Sequence, residues 1–71
     1  MKYEVKDLVT IVDIITDNMV EKEFYFKYIG RVGEIVNIFT NSIWPYDVKV
    51  WKLADIEEET IAFKEEEIRL Q

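Results

Sequence analysis

The stretch Tyr28–Trp51, Y-I-G-R-V-G-E-I-V-N-I-F-T-N-S-I-W-P-Y-D-V-K-V-W, decides the fold. It holds both glycines and the only proline of the 71-residue chain. Within it Tyr46, Val48 and Val50 alternate with Asp47 and Lys49, giving one apolar and one charged face, as a half-buried strand requires. A second run, opened by Gly33 and ending at Phe39, carries Ile35 and Ile38 three apart instead of two. In a regular strand those two would face opposite sides, so a bulge or sharp bend is expected near Val36 or Asn37. Thr40-Asn41-Ser42 supplies turn formers between the runs, and Pro45, with no N–H to donate, fits only the start or edge of a strand. The two runs read as a hairpin.

Working outward, K-D-L-V-T-I-V-D at residues 6–13 predicts the first strand, with Val9 and Ile11 inward and Tyr3 and Val5 as a lead-in that plugs one end. Thr60–Phe63 predicts a fourth strand, Lys64-Glu65-Glu66-Glu67 a single 3-10 turn, and Ile68 and Leu70 about Arg69 the last strand. Leu53 and Ile56 have the spacing of one helical turn. The connection Ile14–Lys27 mixes charges with the cluster Phe24-Tyr25-Phe26 and shows no clean 3.6-residue period. It reads either as a long loop folded over the core or as a short strand through Phe24, Phe26 and Tyr28. Together these elements predict one all-β domain over residues 1–71. Its expected form is a closed, five-stranded SH3-like barrel with a long first loop and one 3-10 turn before the last strand.

Composition narrows the function classes. Histidine and cysteine are absent, which removes Ser-His-Asp, Cys-His and the usual zinc constellations. The lone serine, Ser42, lies in a turn with no base beside it. Gly30 and Gly33, spaced G-R-V-G, lack the Lys-Ser/Thr and following helix of a phosphate loop and read as a turn entering a strand. No enzyme activity, cofactor or metal is expected. The opening M-K-Y-E-V-K-D has no apolar run of signal-peptide length, and no stretch reaches membrane-span length, so a cytoplasmic protein is expected.

Net charge is −6, and seven of the fifteen acids fall after Ala54, where only Lys64 and Arg69 oppose them. Nucleic-acid affinity comes largely from cations set against phosphates, so direct nucleic-acid binding is not expected. A basic or nucleic-acid-handling protein is the partner that such a surface suits. Oligomeric state is not legible.

The segments V-G-E-I-V, W-P-Y-D-V-K-V and F-K-E-E-E-I-R-L, in this order, resemble the SH3-like barrels of photosystem I reaction-centre subunit IV. They are also similar to the ferredoxin-thioredoxin reductase variable chain and the mind-bomb type of SH3-like repeat. The resemblance covers residues 6–70 and implies a second strand opened by Val32-Gly33 and a third by Trp44-Pro45. It also implies a one-turn helix after Phe63. It implies the fold and no photosynthetic role, because the F-Y-F loop has no counterpart there.

Two binding surfaces are candidates. The first is an aromatic platform of Tyr25, Tyr28, Trp44 and Trp51 beside Asp17, Glu21 and Glu23, suited to a peptide with basic residues and an apolar anchor. It belongs to a non-enzymatic protein-interaction module or accessory subunit. The second is an acidic surface of Glu57, Glu58, Glu59, Glu65, Glu66 and Glu67 that imitates nucleic-acid phosphates, as in a phage- or mobile-element-type inhibitor of the anti-restriction or anti-CRISPR kind. The same glutamates, read as a divalent-cation site, lack staggered ligand spacing and a glycine-bearing loop.

Overall fold

A computed structural model describes residues 2–71. Five antiparallel strands form one sheet: β1 (Leu8–Ile11), β2 (Val32–Ile38), β3 (Tyr46–Val50), β4 (Glu59–Phe63) and β5 (Ile68–Leu70). Their order across the sheet is β4-β3-β2-β1-β5, so the two strands nearest the C-terminus lie at opposite edges. The fold is all-β, and a 3-10 turn, Glu65–Glu67, precedes the last strand. Among the described residues β4 and β5 do not pair, so the sheet rolls up with an open seam instead of closing into a fully hydrogen-bonded barrel.

The alternation in β3 is complete. Tyr46, Val48 and Val50 have no exposed surface, whereas Asp47 and Lys49 are half-buried on the outer side. Val9 and Ile11 from β1, Ile35 from β2, Phe63 from β4 and Ile68 from β5 complete the inward layer. Tyr3 plugs one end: its ring meets Tyr46 edge-on at 5.4 Å, and its hydroxyl donates to the Ile68 carbonyl at 3.1 Å. Val5, the other lead-in residue, stays exposed.

The expected irregularity in β2 is present. The register with β3 shifts between Ile35 and Asn37, so Val36 is the extra residue, and Val36 and Asn37 both face outward. Gly33 lies inside β2, not in the turn before it, because of a close approach by β3. A Cβ there would sit 2.5 Å from the Lys49 carbonyl oxygen. The turn itself uses Gly30, whose φ of 89° is one that side chains disfavour.

Two local expectations are corrected. Ile14–Lys27 is neither an irregular loop nor a strand; it holds a short helix, α1 (Met19–Tyr25), followed by a 3-10 turn, Phe26–Tyr28. Asn18 caps the helix, its Oδ1 accepting from the N–H groups of Val20 at 3.0 Å and Glu21 at 3.1 Å. Leu53 and Ile56 do not form a helical turn but face each other in a tight bridge, each N–H donating to the other's carbonyl. Among the described residues no helix is long and apolar enough to cross a membrane.

Candidate functional site

The order of strands leaves β4 at an edge. Trp51 N–H donates to the Val32 carbonyl, so the odd-numbered residues of β3 direct their backbone groups at β2 and Tyr46, Val48 and Val50 direct theirs at β4. Their partners on β4 are Phe63, Ile61 and Glu59. Thr60 and Ala62 therefore point N–H and C=O away from the sheet, and among the described residues nothing hydrogen-bonds to them. An unpaired strand edge is a template for another extended chain.

A cleft of about 310 Å³ runs beside that edge. Five consecutive residues, Thr60–Lys64, form one wall; Ile14–Thr16, Glu21 and Tyr25 of the first connection form the other, with Trp44 and Glu67 completing it. The volume sits at the small end of ligand clefts, about 300–1,000 Å³. The connection is tied down beside the end of β4 at Ile15, through both of its backbone groups. Glu67, buried below it, accepts from Ile15 N–H and from Lys64 N–H, both at 2.7 Å. Lys64 Nζ donates to the Ile15 carbonyl at 2.7 Å. Inside the cleft Glu21 accepts from the Thr16 hydroxyl at 3.0 Å and has no cation within salt-bridge reach among the described residues.

The aromatic set divides. Tyr25 and Trp44 line this cleft together with Glu21. Asp17 and Glu23 are exposed on the same connection without lining it. Tyr28 is corrected from platform to core: it is fully buried, with its ring edge-on to Phe63 at 6.3 Å and its hydroxyl donating to Glu59. Burial first, and the Glu59 carboxylate second, push the phenol up to about 12, against a smaller opposing pull from Arg31. Trp51 is separated from Trp44 by the whole of β3, about 20 Å of extended chain, and lies in a different pocket.

The acidic set divides too. Glu67 is buried as a backbone acceptor and Glu59 holds Tyr28, while Glu57 and Glu58 lie 3.9 and 3.5 Å from Lys52 and Lys49. Glu65 is half-buried and within 3.4 Å of the Tyr46 hydroxyl, and Glu66 is exposed. Among the described residues no group of three acids is placed to hold a metal ion.

Two features escaped the sequence. Helix α1 buries none of its residues, and Met19, Val20, Phe24 and nearby Phe26 are all more than half exposed. The pair Asn18 and Glu21, at capping-box spacing, was the available signal for that helix. Arg31 is only 4% exposed. Its Nη2 donates to the Trp51 carbonyl at 2.5 Å and reaches the Glu57 carbonyl at 3.4 Å, while Nε and Nη1 have no partner. Each unpaired buried donor costs about 1–3 kcal/mol.

Fold and cleft together define a small all-β domain with a groove along a free edge strand. No protein-family model, curated protein or solved structure matches the chain.

Proposed function

We propose that this protein is a non-enzymatic interaction module that binds an extended peptide segment of a partner protein along β4. One observation carries the reading: the unpaired edge of β4 forms the wall of a cleft that also contains Tyr25, Trp44 and an unpaired Glu21. The backbone groups of Thr60 and Ala62 supply the ladder, the cleft takes an apolar side chain, and Glu21 selects a basic one. Met19, Val20, Phe24 and Phe26, exposed on the connection that also supplies Glu21 and Tyr25 to the cleft, add apolar surface. The SH3-like resemblance is compatible with such a module and supplies no ligand. An accessory subunit held through the same edge is the same reading with a permanent partner.

The acidic-mimic reading is weaker on this chain, because Glu59 and Glu67 are committed to contacts within the fold and two more glutamates sit beside lysines. Selection of a random peptide library against the protein tests the proposal. Enriched sequences are expected to carry an aromatic or aliphatic residue near a Lys or Arg, and to lose binding to Trp44→Ala and Glu21→Gln while retaining it to Trp51→Ala. Peptides that bind all three variants equally would overturn it.

A further inference from the structure

The two walls of the groove run in opposite directions. At one end the Ile15 carbonyl accepts from Lys64 Nζ at 2.7 Å, just past the last residue of β4. At the other the Tyr28 hydroxyl donates to Glu59, the first residue of β4. The connection therefore passes from Ile15 to Tyr28 while β4 passes from Glu59 to Phe63 the other way. Glu21 is held toward the Lys64 end, since it accepts from the hydroxyl of Thr16, the residue after Ile15, at 3.0 Å. Tyr25, one helical turn further on, lies toward Tyr28, with ring centroids 6.1 Å apart. The cleft is lined by two carboxylates, Glu21 and Glu67, and by one ammonium, Lys64, so one further cation balances it.

Resting on the reading that β4 takes a peptide strand, we infer that the groove selects a sequence order: Lys or Arg, then any residue, then an apolar residue, in a strand antiparallel to β4. Every strand pair in the sheet is antiparallel, and that pairing is the more stable per residue. A ligand so placed runs from the Lys64 end of the groove to the Glu59 end, in the same sense as the connection facing it. Directly opposite residues in a sheet share a face. Phe63 is buried and Ile61 packs against the core, so the ligand residues opposite these two face into the cleft, and those opposite Ala62 and Thr60 carry the ladder and face solvent. The two inward positions are about 7 Å apart along an extended chain. Glu21 and Tyr25 are separated by a similar rise, about 6 Å along α1. The first inward position therefore comes level with Glu21 and takes the cation. The second comes level with Tyr25 and Ile61 and takes the apolar side chain. The reverse order sets an apolar side chain on the Glu21 carboxylate and a cation against Ile61.

The experiment is an NMR titration of the full chain with two peptides of identical composition and charge, acetyl-Thr-Arg-Thr-Leu-Thr-amide and acetyl-Thr-Leu-Thr-Arg-Thr-amide. The amide signals of Thr60 and Ala62 and the Trp44 indole N–H report occupancy of the groove. The first peptide is expected to shift them saturably and to bind about fivefold more tightly than the second, the contribution of one accessible ion pair. Glu21→Gln, a change at an exposed side chain, is expected to bring the first peptide down to the level of the second. A nitroxide at the N-terminus of the first peptide is expected to broaden the Glu65 and Glu66 amides more than those of Glu58 and Glu59. Equal binding of the two peptides, tighter binding of the second, or stronger broadening at Glu58 and Glu59 overturns the inference and leaves β4 as a peptide edge. No shift with either peptide overturns the edge reading itself, and the inference with it.

Discussion

The Tyr28 hydroxyl donates to the Glu59 carboxylate, joining the end of the first connection to the first residue of β4 across 31 positions of chain. The link is sensitive to alkali. Tyr28 keeps its proton up to about 12 in the folded protein, against an ordinary value of 10.0. Between those values the unfolded chain releases this proton and the folded chain retains it, so stability falls as pH rises; below pH 10 the contribution is fully present. The total loss is about 2–3 kcal/mol. Urea unfolding of the wild type and Tyr28→Phe between pH 7 and 12 isolates it. The variant is expected to start about 1 kcal/mol less stable, having lost the hydrogen bond, and to show a shallower alkaline decline.

Gly33 and Gly30 make a paired prediction, because they are glycines for different reasons. Alanine at 33 sets its Cβ against the Lys49 backbone at 2.5 Å and the Val48 side chain at 2.7 Å, and a backbone in the middle of a sheet cannot give way locally. Gly33→Ala is expected to cost about 2–3 kcal/mol, lowering Tm by about 10–20 °C. Alanine at 30 meets nothing within 4 Å and suffers only from its φ of 89°, a cost of about 1–2 kcal/mol. Thermal melts followed by circular dichroism rank the two.

Glu67 holds both sides of the open seam. Its two carboxylate oxygens accept from Ile15 and Lys64 N–H, and its own backbone carbonyl accepts from Val12 at 2.8 Å. Glu67→Ala strands two N–H donors beneath the groove, and a loss of about 2–4 kcal/mol is expected, with Ile15 and Lys64 amides losing hydrogen-exchange protection. Glu66→Ala, an exposed neighbour, is expected to change stability by less than about 0.5 kcal/mol.

The strands were legible where packing follows sequence period. β3 alternates because one face is buried and the other is not, and Ile35 and Ile38 at odd spacing announced the bulge for the same reason. Helix α1 was not legible from period, since it fully buries no residue and Met19, Val20 and Phe24 are exposed, with only Tyr25 packed toward the core; the Asn18 cap marked it. The aromatics are alike in sequence and differ in fate. Tyr28 goes inward at the end of a 3-10 turn that periodicity cannot place, and Trp44 and Trp51 are parted by the length of the strand between them. Arg31 lies in a glycine-flanked turn where a charged residue reads as exposed. Its burial depends on Tyr28 and on the Trp51 and Glu57 carbonyls, which arrive from 20 and 26 residues away.

Edge pairing on β4 can be separated from side-chain recognition in the cleft by a single substitution. Ala62 directs its N–H away from β3, so proline at 62 removes a donor the sheet does not use, and its fixed φ is tolerated on an edge strand. Its side chain is exposed, so the ring displaces nothing from the core. Ala62→Pro is therefore expected to keep its fold within about 1 kcal/mol of wild type while weakening a selected peptide at least tenfold, by loss of a ladder hydrogen bond and by obstruction of the strand's approach. Trp44→Ala leaves the edge intact and removes part of the cleft, and is expected to weaken the same peptide through its apolar residue. Calorimetric titration of both variants and of the double variant reads the two contributions. Loss in Trp44→Ala with undiminished binding to Ala62→Pro would mean that the cleft receives a side chain without a strand being added.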